Sequence, residues 1–225
     1  MAKAQAISGG RGRVIKRKSG KQARKLKSGL LDVSIPQNAT HLAEITQRNS
    51  TQSLLLRLPP EIRNKIWKYA VGGLEIHIKE IGTYCPPWLS YGTRPIGAKE
   101  SIFKCPRFTF HLHQVSRQAY FEVSPFIYTL NTFSFDGVMI MDRWIKIRAL
   151  GQMQLVTSIN IPFGYFSLYI QGFRRIFRKK FPNIKRIGIY EHSNPRLGET
   201  KEETKEYIVK QVHLREGDGV MVEWR

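Results

Sequence analysis

Leu58–Gly73 reads LPPEIRNKIWKYAVGG, and its prolines, apolar residues and glycines are spaced for one short helix. Pro59 and Pro60 suit a helix entry, where a proline gives up an amide that has no intrahelical partner anyway. Glu61 adds a negative charge at the end where the helix dipole is positive. Ile62, Ile66, Tyr69 and Ala70 follow at the i, i+4, i+7 and i+8 positions of one face, and Gly72-Gly73 ends the run. The periodicity therefore predicts an amphipathic helix with Ile62 and Ile66 packed inward. Beyond it Leu74, Ile76 and Ile78 alternate with Glu75, His77 and Lys79, the two-residue period of a half-buried strand. Residues 32–52 before the helix are polar and turn-rich. Residues 80–107 after the strand carry Pro86, Pro87, Pro95 and Pro106 with several glycines and read as a long surface excursion.

Downstream, Phe108, Phe110 and Leu112 alternate, and HQVSRQAYFEVSPFIY (His113–Tyr128) takes helical spacing, with Ser124-Pro125 reading as a helix start. Asn131–Phe135 reads as a strand and Asp136 as the cap of a helix bearing Val138, Met141, Ile145 and Arg148. A strand is expected near Val156–Ile161, and Phe166, Tyr169, Ile170, Phe173, Ile176 and Phe177 keep helical spacing across Tyr165–Phe181. Ile184, Ile187 and Ile189 suggest another strand. Thr200 with Glu203 forms a capping box for a helix through about Leu214, and Val220, Val222 and Trp224 alternate as a closing strand. Helices and strands in this order predict an α+β fold: two helices packed against a small mixed sheet with flanking helices. No fixed-length repeat is evident, so a leucine-rich solenoid is not expected. Ile62, Ile66, Trp67, Leu112, Val115, Ala119, Phe126, Ile127, Tyr128, Phe133 and Phe135 read as core, and Arg117 with Glu122 as a polar staple between segments.

LLLRLPPEIRNKIWKYA (Leu54–Ala70) followed by LHQVSRQAYFEVSPFIYTLNTFSF (Leu112–Phe135) resembles the F-box-like domains of a large fungal family of unknown function, whose pattern runs LPxEIRxxIW, LxQVSRQ, LYxxNTFxF. Leu150–Ile161 and Phe181–Ile189 follow the pattern more loosely, so the likeness spans roughly the middle two thirds of the chain. Its resemblance to F-boxes proper is narrower: Leu58-Pro59 with the first helix, and the segment Leu112–Arg117. In an F-box those two pieces adjoin and dock on the small adaptor subunit of a cullin-type ubiquitin ligase; here residues 74–111 lie between them. The resemblance implies Leu58, Pro59, Ile62, Ile66 and Trp67 as adaptor-binding residues.

Charge is unevenly spread over the 225 residues. The formal net charge is +20, yet residues 1–31 alone hold ten basic residues and no acid. That first segment lacks aromatics and is rich in Gly, Ser, Lys and Arg, so it cannot offset the entropy of ordering its backbone. Residues 1–50 are therefore expected to be a disordered basic arm before an α+β domain at 51–225. Its clusters Lys16-Arg17-Lys18 and Arg24-Lys25 with Lys27 match what importin grooves or phosphates attract, which points to the nucleus. A mitochondrial presequence is the weaker reading, because Lys outnumbers Arg. The Gly9-Gly10-Arg11-Gly12 stretch resembles one copy of an RNA-binding RGG element. A second basic concentration, Arg174, Arg175, Arg178, Lys179 and Lys180, falls among aromatics on the expected helix and suits nucleic-acid contact.

Catalytic and cofactor patterns are missing. Neither a Walker nor a dinucleotide-binding glycine string occurs, nor a Gly-x-Ser-x-Gly elbow. Cys85, Cys105, His111 and His113 fit no zinc pattern, so neither metal nor cofactor is expected. No stretch approaches the ~20 apolar residues of a membrane-spanning helix. The expectation is a non-enzymatic protein–protein interaction module, F-box-like, as adaptor or substrate receptor of a cullin-type ubiquitin ligase. The alternative is a nuclear, nucleic-acid-associated protein working through the basic arm and the 174–186 segment.

Overall fold

A computed structural model describes residues 25–32, 40–81, 88–98, 115–162, 164–174, 176–190 and 200–225. Helices α1 (Thr40–Gln52), α2 (Leu54–Arg57) and α3 (Pro60–Val71) lead into strands β1 (Leu74–Ile81) and β2 (Trp88–Pro95). Then come α4 (Arg117–Thr129), β3 (Thr132–Phe135), α5 (Val138–Ile147), α6 (Leu150–Leu155), β4 (Ser158–Asn160), α7 (Tyr165–Ile170), a 3-10 turn (Phe177–Lys179), β5 (Arg186–Ile189), α8 (Lys201–Glu216) and β6 (Met221–Trp224). The fold is α+β, as the alternation predicts.

The six strands form one mixed sheet in the order β2-β1-β3-β4-β5-β6. β2 pairs antiparallel to β1, Trp88 opposite Ile81 and Pro95 opposite Leu74. The remaining strands run parallel in chain order, with Glu75, Thr132, Ser158, Arg186 and Met221 in one row. Parallel crossovers are right-handed, so a sheet that always steps the same way receives its crossover helices on one face. That face is apolar. Ile76, Ile78, Phe133, Phe135, Ile159, Ile187 and Ile189 are buried there, and the Trp144 ring of α5 sits 5.0 Å from Phe133, 5.5 Å from Phe135 and 6.5 Å from Phe181. Asn131 ties the layers together: its amide donates to the carbonyls of Val71 and Ile127, and its side-chain oxygen accepts from the Leu74 amide.

Several local expectations are corrected. Residues 40–52 are helical, so ordered structure starts well before residue 51, and the boundary drawn there falls at the end of a helix. The expected excursion at 80–107 contains β2, an edge strand ending at Pro95; Pro86 lies outside the described residues. Ser124-Pro125 does not open a helix: Ser116 caps α4 through its side chain to the Ala119 amide, and Pro125 lies inside it. Gly137, not Asp136, is the cap position of α5. The helix expected over Tyr165–Phe181 stops at Ile170. Gly172 takes φ +82°, and the Phe177 and Arg178 amides donate to the buried Glu216 carboxylate instead of continuing a helical ladder. Among the described residues, no α-helix therefore carries the basic residues of 174–186. The capping box of Thr200 and Glu203 on α8 is present as expected.

Residues 25–32, expected within the disordered arm, close a turn by a bridge between Lys25 and Leu31 and dock on the domain. The Gly151 amide donates to the Ser28 carbonyl at 2.9 Å, the Leu31 amide to the Tyr120 hydroxyl at 3.2 Å, and Arg117 to the Asp32 carbonyl at 2.5 Å.

Candidate protein-docking face

The first helix motif folds with its apolar stripe outward. Arg63, Trp67 and Val71, at i, i+4 and i+8, are the buried residues of α3, while Ile62, Ile66 and Tyr69 are 42%, 36% and 89% exposed. The inward packing expected of Ile62 and Ile66 is thus reversed. The reason is Glu122 on α4. Arg63 donates from Nη2 to Glu122 Oε1 at 2.7 Å and from Nε to Oε2 at 3.0 Å, and the Trp67 indole donates to Oε2 at 2.9 Å. Gln118 adds a bond to Oε1 at 3.0 Å. Burial alone would raise the Glu122 carboxyl, but these donors and the Arg63 charge hold it below the usual carboxylate range. Arg63 also donates to the carbonyls of Leu56 and Leu58, fixing the α2–α3 turn. The partner of Glu122 is Arg63 and not the expected Arg117, which instead holds the Asp32 carbonyl.

Five residues were expected to meet an adaptor. Pro59, Ile62 and Ile66 are exposed and Leu58 is half-buried, so four have solvent-accessible surface; Trp67 is buried and serves the core. Leu54 of α2 is 80% exposed, and Arg57, Lys65 and Lys68 are exposed on α2 and α3, Lys68 reaching over the Phe126 ring at 5.7 Å. Of the expected core set, Val115 is also exposed and Leu112 lies outside the described residues.

The basic residues divide. Arg174 pairs with Asp142 and lies over the Tyr165 ring at 5.4 Å, whereas Arg178, Lys179 and Lys180 are exposed; Arg175 lies outside the described residues. Of the targeting clusters, Lys25 and Lys27 are exposed on the docked turn, and Lys16, Arg17, Lys18 and Arg24 lie outside the described residues, as do Cys85, Cys105, His111 and His113.

The sheet face away from the helices is polar, which the strand alternation implied but did not specify. Glu75, its side chain 1% exposed, accepts from Arg94 Nε at 2.8 Å and Asn160 Nδ2 at 2.9 Å, with Arg225 Nη1 2.6 Å from its Oε1. Burial would raise its carboxyl, and Arg225 and Arg94 together lower it. Arg186 donates to Ser158 and Asn160, both at 3.0 Å. Next along the strands, Ser134 Oγ lies 3.0 Å from His77 Nδ1, and His77 Nε2 lies 2.5 Å from Asp136 Oδ1. A serine, a histidine and an aspartate in this line have the makings of nucleophilic chemistry. Ser134, however, has no exposed surface for a substrate to reach, so the line cross-links β1 and β3.

No helix among the described residues is long and apolar enough to cross a membrane. No family model matches the chain, and neither a curated protein nor a solved structure matches it.

Proposed function

We propose that this chain is a non-enzymatic protein–protein interaction module that docks through the outer face of α3. The observation that carries the reading is the reversed helix: Ile62, Ile66 and Tyr69 face solvent while a charged residue, Arg63, is drawn inward by Glu122. Apolar side chains gathered on one exposed helix face cost solvation free energy unless a partner covers them. With the F-box-like pattern of Leu58–Ala70 and Leu112–Arg117, the occupant is the adaptor subunit of a cullin-type ubiquitin ligase, and the sheet domain is the body that presents a second partner. Arg57, Lys65 and Lys68 favour an adaptor surface with acidic residues around its apolar groove. Co-purification of the full chain with that adaptor at moderate salt tests the reading. A stoichiometric complex supports it, and a folded chain that elutes alone rejects it.

A second reading, nucleic-acid contact by a nuclear protein, draws on the exposed run Arg178, Lys179 and Lys180 with the basic start of the chain. Binding of that kind must weaken steeply with salt, because each neutralised phosphate releases counterions. Affinity for a single-stranded oligonucleotide that is indifferent to salt excludes it.

A further inference from the structure

Between α5, Tyr165 of α7, Phe173, Arg174 and the segment Ile176–Phe181 lies a cavity of about 310 Å³. Met141, Ile145, Tyr165, Phe177 and Phe181 give it an apolar floor, and burial pushes the Tyr165 hydroxyl up to about 12. The rim is cationic. Arg174 is satisfied by Asp142, but Lys146 and Lys180 are exposed and have no acidic partner among the described residues.

We infer that this cavity holds one bulky apolar side chain of an acidic peptide, with the peptide's carboxylates against Lys146 and Lys180. The volume lies at the lower end of the range of ligand sites, about 300–1,000 Å³, and leaves room for a large side chain. A nucleobase of similar size fits poorly. Over the apolar floor of Met141, Ile145, Phe177 and Phe181 its ring edge would leave polar atoms without partners, and whether the rim groups compensate is read directly by the oligonucleotide probe below. The chain's own basic start is excluded by charge, since it would bring lysines and arginines to lysines. The inference rests on reading the chain as a protein-binding module: α3 takes the adaptor and this cavity takes the substrate protein.

The test is fluorescence anisotropy with the full chain and three labelled probes. These are an acidic peptide with a central Leu, the same peptide with Ala there, and a single-stranded oligonucleotide of equal charge. The Leu peptide is expected to bind, the Ala peptide at least about tenfold more weakly. Lys146→Glu and Lys180→Glu, both at exposed positions, are each expected to weaken the Leu peptide about fivefold. Ile66→Lys on α3 leaves peptide binding unchanged, so loss of adaptor association and loss of peptide binding are read separately. Equal affinity for the Leu and Ala peptides, no peptide binding, or an oligonucleotide that binds more tightly than the Leu peptide overturns the inference.

Discussion

Arg63 of α3 and Glu122 of α4 are joined by two parallel hydrogen bonds, and the side chains are only 10% and 14% exposed. Breaking a buried pair by removing one partner leaves the other charge desolvated, at a cost of about 3 kcal/mol or more. Arg63→Ala is therefore expected to lower stability by about 3 kcal/mol, read from urea unfolding. Replacing both residues together by Leu and Met is expected to cost less than the single change. A single variant as stable as the parent would mean that the pair does not orient the helix.

Glu75 and Glu122 also set the acid limit. Both carboxyls lie below their ordinary value of 4.5 in the folded chain. A depressed folded value contributes stability that is complete above the unfolded value and is lost as pH falls through the folded one. Unfolding midpoints are thus expected to hold steady from neutral pH to about 5 and to drop below about 4.5. The double variant Glu75→Gln, Glu122→Gln should be less stable at pH 7 and show a shallower fall. A parent-like slope in that variant would contradict the assignment.

Gly188 on β5 has no room for a side chain. A Cβ there would stand 2.1 Å from Asn160 Oδ1, and Asn160 cannot retreat because Glu75 and Arg186 both hold it. Gly188→Ala is expected to cost about 2 kcal/mol through overpacking, and thermal unfolding measures it. An unchanged Tm would show that the polar sheet face yields freely.

Gly151 on α6 makes a narrower case. A Cβ there would meet Leu30 Cδ1 at 2.7 Å and Ser28 Cβ at 3.0 Å, both belonging to the docked turn rather than to the domain. Gly151→Ala should loosen residues 25–32 with little change in Tm. Faster trypsin cleavage after Lys25 and Lys27 is the expected sign. Cleavage at the parent rate would mean that the turn adjusts in place.

Strands were the most legible part of the sequence, because alternation at Leu74–Ile78, Phe133–Phe135, Ile187–Ile189 and Val220–Trp224 reports directly which face meets a core. β2 was not legible: Gly92 and Pro95 dilute its pattern, and only pairing with β1 reveals it. The helix over 165–181 was overread because apolar spacing continued past Gly172, while Glu216, the carboxylate that takes the Phe177 and Arg178 amides, comes much later in the chain. On α3 the apolar residues Ile62 and Ile66 were given the wrong orientation. Arg63, Trp67 and Val71 form a second stripe at helical spacing, and a charged member hid it. An arginine goes inside only when a carboxylate waits there, and Glu122 lies 59 residues away.

The most direct test of the outward-facing α3 is a calorimetric titration of the ligase adaptor into the full chain and into the double variant Ile62→Lys, Ile66→Lys. Both positions are exposed, so the variant keeps its fold, which circular dichroism and Tm check. One-to-one binding by the parent and a loss of at least about a hundredfold in the variant are expected, two buried apolar anchors at over a kcal/mol each. A variant that binds as tightly as the parent, or a parent that does not bind, would contradict docking through α3.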